Sequence, residues 1–136
     1  NRSPKSCPGV EFVSLDRLLQ ESHVISMHLL LNDETRGFIS RDKIARMRPG
    51  VILVNTARGA LVDETAMIGA LVSGQIGHAA LDVFDIEPLP EDHPLARIEN
   101  VTLSAHSAFR TPEASDNLIE AALVHCRRIY GLNSPG

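Results

Sequence analysis

The chain has 136 residues, 43% of them hydrophobic, with 13 basic and 17 acidic residues and a net charge of −4. That length and apolar content suit one domain with a true core. The charges are mixed along the chain, with no basic block to track a phosphate backbone, so no nucleic-acid partner is expected. No apolar run approaches the roughly 18 residues of a membrane span and no signal-peptide pattern opens the chain, so no membrane association and a cytoplasmic setting are expected. Cys7 and Cys126 lie far apart and outside any metal-type spacing, which reads as two free thiols. The six histidines form no cluster, so no metal site is expected. The chain opens Asn1-Arg2-Ser3-Pro4-Lys5 without a methionine and reads as though it starts within a longer protein.

In chain order, Ser14 can cap a short helix with Leu15, Leu18 and Leu19 on one face. Residues 24–31 are an apolar run of strand length. Ser40 can cap a helix over 41–47, which Pro49-Gly50 terminates. A strand follows over 51–57. Asp63 then caps a helix to about residue 73, and Gly74 supplies its stop. Residues 77–84 form the next strand, a loop carries Pro88, Pro90 and Pro94, and 101–105 form a short strand. Thr111-Pro112 starts a last helix that runs to Tyr130 and ends at Gly131, its apolar face formed by Ala114, Leu118, Ala121, Ala122 and Ile129.

Near-continuous apolar strands alternating with helices predict an α/β fold with a parallel sheet buried on both faces. His78, within such a strand, is expected to point into a helix–sheet contact. Ligands of such sheets sit at the carboxyl ends of the strands. Arg58 falls just after the second strand, Asp82 near the end of the third with Glu87 beyond it, and His106 after the fourth. Cation, carboxylate and imidazole suit the reduction of a 2-oxo acid. Arg58 would grip the substrate carboxylate with its planar fork. His106 would give a proton to the carbonyl oxygen as hydride arrives, and Glu87 beside it would favour the protonated imidazole. A positioned acid of this kind contributes about 10²–10⁴-fold.

Three long motifs extend this reading. They are Asn55-Thr-Ala-Arg-Gly-Ala-Leu-Val-Asp-Glu64, then Ala79-Ala-Leu-Asp-Val-Phe-Asp-Ile-Glu-Pro-Leu-Pro90, and Asn100-Val-Thr-Leu-Ser-Ala-His106, with His93-Pro-Leu95 between the last two. In this order they resemble the D-isomer-specific 2-hydroxyacid dehydrogenase family, from about Pro8 to Tyr130. The resemblance implies a Rossmann-like doubly wound parallel sheet. It implies Arg58, Glu87 and His106 as catalytic residues. It also implies cofactor contacts from Leu29, Leu30, Thr35, Thr56, Ala57, Arg58, Asp82 and His106, with Asp82 at the nicotinamide carboxamide. His28 and His93 are read as structural. The family commonly has HLPLT where this chain has His28-Leu-Leu-Leu-Asn32, so Leu30 stands in place of a proline. Ala105 likewise stands where a proline usually precedes the catalytic histidine, and His106-Ser-Ala-Phe-Arg-Thr111 replaces the commoner continuation.

NAD-specific Rossmann domains usually end their second strand with an acid that binds the ribose 2′-hydroxyl. At the matching place stands Asn1-Arg2-Ser3, and Arg2 with Ser3 would suit a 2′-phosphate. That is similar to NADP-using glyoxylate and hydroxypyruvate reductases, so NADP is expected ahead of NAD. The GxGxxG fingerprint with its first βαβ unit and the substrate domain are not in the sequence. Residues 1–136 are therefore expected to form the C-terminal part of a dinucleotide-binding domain. The helix over 111–130 would lead back toward a substrate domain, and the strand over 24–31 would be an apolar edge. The resemblance also implies a homodimer. Four functional readings stand: a reductase of small 2-oxo acids; a cofactor-sensing or partner-binding protein on the same fold; an enzyme with a different donor, such as formate; and an inactive fragment. Retention of Arg58, Glu87 and His106 together favours an enzyme over a sensing or partner-binding protein.

Overall fold

A computed structural model of the chain describes residues 8–131. Arg2 and Ser3, assigned to the cofactor above, lie outside the described residues. The chain divides into two compact units, residues 1–105 and 106–136.

The first unit is built on four strands: β1 (Val24–Met27), β2 (Val51–Asn55), β3 (Ile76–Leu81) and β4 (Val101–Leu103). They form one sheet in the order β1-β2-β3-β4, and every neighbouring pair is parallel. Parallel neighbours need crossovers. Here these carry α2 (Arg41–Ala45), α3 (Glu64–Ser73) and a short 3-10 turn, Pro94–Arg97. The helix α1 (Leu15–Glu21) precedes β1. This is the expected Rossmann-like α/β arrangement.

Local chemistry places the helices. The Ser14 hydroxyl accepts the Arg17 N–H at 3.3 Å, and the Asp63 carboxylate accepts the Ala66 N–H at 2.9 Å. Gly74 closes α3 at φ 80°, where a side chain would be strained. Ser40 precedes α2 but makes no side-chain cap bond, and α2 stops at Ala45 rather than Met47. Gln75 takes up the carbonyls left at that end: its Nε2 donates to Ile44 O at 3.2 Å and Met47 O at 2.8 Å.

The strands are shorter than their apolar runs. β1 stops at Met27 rather than residue 31, β2 at Asn55 rather than 57, and β3 at Leu81 rather than 84. In each case the last residues leave the ladder and turn into a loop at the carboxyl edge. Between Val51 and Ile52 the β2–β3 register shifts. A side chain on Gly77 would come within 2.7 Å of the Gly50 carbonyl oxygen, so the glycine permits that close approach.

Burial corrects one expectation. The strands were expected to be covered on both faces, yet burial alternates along β1 and β2. Ile25, Met27, Val51, Leu53, Ile76, Ala79 and Leu81 join Leu19, Ile44, Leu61, Met67 and Leu71 in one core on the helix side. The opposite face shows Val24 at 54% exposure beside Ile52, its register partner. An apolar run satisfies either one buried face or two, and only the packed partners decide. His78 therefore does not enter a helix–sheet contact: its Nε2 lies 2.9 Å from Thr102 Oγ1, side chain to side chain.

The second unit holds α4 (Pro112–Tyr130). Thr111 caps it, accepting the Ala114 N–H at 3.1 Å, and Gly131 ends it at φ 63°. None of its residues is buried, and Leu118, Leu123 and Ile129 are exposed. No described helix is long and apolar enough to cross a membrane.

Candidate active site at the carboxyl edge of the sheet

The carboxyl ends of β1 and β2 open into a pocket of about 290 Å³. Its walls are His28, Leu29, Leu30, Leu31, Thr56, Ala57 and Arg58. Five of the predicted cofactor residues, Leu29, Leu30, Thr56, Ala57 and Arg58, thus meet in one place. The loop after β1 gives the apolar wall, with Leu30 81% exposed. The turn after β2 gives the polar wall.

The turn after β2 is built around Asn55. This residue ends the strand on its buried phase and is 2% exposed. Its Nδ2 donates to the Arg58 carbonyl at 2.8 Å, and its Oδ1 accepts the Ala57 N–H at 3.1 Å. Arg58 emerges from the turn exposed, with extended backbone at φ −153°. One guanidinium N–H donates to the Ala57 carbonyl at 2.6 Å. Gly59 then begins a 3-10 turn, Gly59–Leu61, pressed against the loop after β3. A Cβ there would lie 2.2 Å from the Phe84 carbonyl carbon.

The loop after β1 owes its shape to a clasp between Asn32 and Thr35. The Asn32 N–H donates to Thr35 Oγ1 at 2.8 Å and the Thr35 N–H to Asn32 Oδ1 at 2.9 Å. The Thr35 hydroxyl donates to the Leu30 carbonyl at 2.6 Å. Where the family's usual proline would stiffen this loop, the clasp holds Leu30 instead. Thr35 is half-buried and its hydroxyl serves the loop; it is not among the pocket's walls.

Asp82 lies just past β3, 3% exposed. Its N–H donates to the Asn55 carbonyl at 3.0 Å, and its Oδ1 accepts a short hydrogen bond from the Ser104 hydroxyl. Asn55 and Asp82 are the two buried polar side chains among the described residues, and that backbone bond joins them. Glu87 is exposed, and its Oε1 accepts the Phe84 N–H at 2.9 Å, which folds the carboxylate back over its own loop. His106 opens the second unit with φ 49°, the one positive φ outside glycine among the described residues. Such a conformation is uncommon for a side-chain-bearing residue and clusters at functional sites. His28 lines the pocket with Nε2 2.8 Å from Ser26 Oγ. His93 caps the Pro94–Arg97 turn and pairs with Glu64 at 3.2 Å, a structural tie. No group of three His, Cys, Asp or Glu that could hold a metal ion exists among the described residues.

Sequence reasoning passed over Asn55, Asn32 and Ser104. Only Asn55 left a signal: a polar residue in step with Val51 and Leu53, where the alternation calls for an apolar one.

A parallel α/β sheet with its pocket and its buried polar pair at the carboxyl edge defines a Rossmann-like ligand-binding domain. The sequence profile of the D-isomer specific 2-hydroxyacid dehydrogenase, NAD binding domain, matches residues 1–108, and the chain belongs to that family. It is 44% identical over 115 residues to the glyoxylate reductase of Thermofilum pendens, covering 85% of this chain and 34% of the relative. It is 43% identical over 113 residues to the hydroxypyruvate reductase of Thermotoga maritima, covering 82% and 37%. The chain thus spans about a third of the length of these curated relatives. Among solved structures it resembles a glyoxylate reductase from Paecilomyes thermophila, with TM-score 0.83, 38% identity and coverage of 91% and 39%. It also resembles a D-isomer specific 2-hydroxyacid dehydrogenase from Xanthobacter autotrophicus Py2 in complex with NADPH and MES, with TM-score 0.66, 42% identity and coverage of 68% and 30%. The NAD-complexed enzyme of Lactobacillus delbrueckii ssp. bulgaricus gives TM-score 0.79, 32% identity and coverage of 90% and 41%.

Proposed function

We propose that this chain forms the carboxyl-edge part of the coenzyme domain in an NAD(P)H-dependent reductase. Its substrates are small 2-oxo acids, glyoxylate or hydroxypyruvate, and its products the matching 2-hydroxy acids. The observation that carries the reading is Arg58, exposed at the end of β2 and lining a pocket whose other wall is apolar.

The pocket suits a nicotinamide dinucleotide. Leu29 to Leu31 offer a surface for a flat ring and Thr56 offers a hydroxyl for hydrogen bonding. The resemblance gives Asp82, which is not among the pocket's walls, as the acceptor for a carboxamide. When bound, that group supplies the hydride. The residues of this chain do the rest. Arg58 holds the substrate carboxylate and fixes which carbonyl face is presented, which is the entropic part of catalysis. Its charge also stabilises the oxyanion as it develops. His106 donates a proton to the carbonyl oxygen, so hydride and proton together convert the 2-oxo acid to the 2-hydroxy acid. Glu87 is the carboxylate that the family resemblance assigns as partner to that histidine. The apolar loop after β1 keeps water from the reacting carbon.

NADPH is the proposed donor, because Arg2 and Ser3 replace the acid that would select NADH. A homodimer is proposed from the family resemblance.

The test is NADPH oxidation by the full-length protein with glyoxylate and hydroxypyruvate. A charge-assisted hydrogen bond is worth about 1.5–3 kcal/mol, so Arg58→Ala should raise the KM for the 2-oxo acid by roughly 10–100-fold. Unaltered 2-oxo acid kinetics would remove the carboxylate-binding role.

A further inference from the structure

We propose that Asn55 is a positioning residue for Arg58, and that its side-chain amide sets how well the protein binds 2-oxo acid carboxylates. The inference rests on the carboxylate role proposed for Arg58.

Asn55 sits at the last position of β2, in register with Met27 on one side and Leu81 on the other. Its backbone is therefore fixed by the sheet. Its carbonyl accepts the Asp82 N–H just beyond β3. Its amide does what only a carboxamide can do here: it accepts from Ala57 N–H with one atom and donates to Arg58 O with the other. The two bonds span the turn and fix both peptide groups that flank the Ala57–Arg58 link. The guanidinium then rests on the Ala57 carbonyl, whose orientation Asn55 has already set. Asn55 therefore acts on the cation through the backbone.

The cost of a polar side chain here also points to a purpose. Asn55 continues the buried phase of Val51 and Leu53, both fully buried, where an apolar residue would add to the core. Burial of an amide is tolerated because both of its functional atoms are satisfied. A Leu or Val at this place would pack, yet it would release Arg58 O and leave the turn without its brace.

Two variants separate positioning from folding. Asn55→Ala removes both bonds. Asn55→Ser keeps a hydroxyl that can accept the Ala57 N–H in a local turn but is too short to reach Arg58 O. Each is measured in the full-length protein, alone and with Arg58→Ala. The readouts are KM for glyoxylate, KM for NADPH, and the thermal stabilisation given by oxalate, a dicarboxylate probe that needs no turnover.

The expected result is an Asn55→Ser protein with about tenfold higher KM for glyoxylate, a reduced oxalate response and an NADPH KM within roughly twofold of the parent. Combined with Arg58→Ala, it should add nothing to the loss that Arg58→Ala gives alone, because groups acting as one unit are non-additive. If Arg58→Ala weakens glyoxylate and oxalate binding but Asn55→Ser does not, or if the two losses multiply, the positioning role is overturned. If Arg58→Ala itself changes neither, the carboxylate reading and the positioning role fall together.

Discussion

The contact between Gly59 and the loop after β3 gives the sharpest test of how this site is assembled. In Gly59→Ala the new Cβ would lie 2.2 Å from the Phe84 carbonyl carbon, 2.5 Å from its oxygen and 2.6 Å from the Asp85 nitrogen. Ordinary contact begins at 3.4 Å, and the obstructing atoms are backbone, which cannot swing aside as a side-chain tip does. The two loops must therefore part by about 1 Å. One carries Arg58; the other carries Glu87, whose Oε1 is bonded to the Phe84 N–H at 2.9 Å. Overpacking of this kind costs about 1–3 kcal/mol. A displacement near 1 Å in a catalytic arrangement can cost about 10²-fold in rate. Gly59→Ala in the full-length protein should thus lower kcat/KM for glyoxylate by roughly 10²-fold while shifting the urea midpoint only modestly. Steady-state kinetics and urea unfolding on the same preparation read both quantities. Parent-like kinetics with a parent-like midpoint would refute the claim that this contact sets the site.

Two further outcomes are expected. Leu53 is fully buried at the centre of the sheet, so Leu53→Ala should cost about 2–5 kcal/mol by denaturant unfolding; a loss below about 1 kcal/mol would mean that the core centres elsewhere. Replacing Arg2 and Ser3 together, with an acid at position 2, should move the ratio of kcat/KM for NADPH over NADH toward NADH by at least about tenfold, and an unmoved ratio would remove the argument for NADPH.

The sequence by itself determined the elements and their kind. Caps at Ser14, Asp63 and Thr111 and stops at Gly74 and Gly131 are local chemistry, and local chemistry is legible from neighbours along the chain. Alternation of strands with helices gave the parallel sheet, because short crossovers leave few other topologies. The motifs around Arg58, Glu87 and His106 gave the family, which the profile match over residues 1–108 shows. Strand ends were less legible. Apolar residues resume after a single polar one, Leu29 to Leu31 after His28 and Val83-Phe84 after Asp82, and the loss of a ladder partner marks where each strand becomes a loop. The open face of the sheet was not legible either, since an apolar run reads alike whether one face or two will be covered.

Tertiary structure alone decided how the site is held. The pressure of Gly59 on Phe84 and the Ser104–Asp82 bond join residues far apart in the chain, whereas the Asn55–Arg58 and Asn32–Thr35 bonds are turns of three residues' separation whose part in the site shows only once the strands are in place. Asn55 meets Arg58 only once β2 has ended and the chain has turned. Ser104 meets Asp82 only because β3 and β4 are neighbours in the sheet. Sequence order names the groups that a site can use; the sheet register fixes which of their atoms come within hydrogen-bond distance, and that distance decides what each group can do.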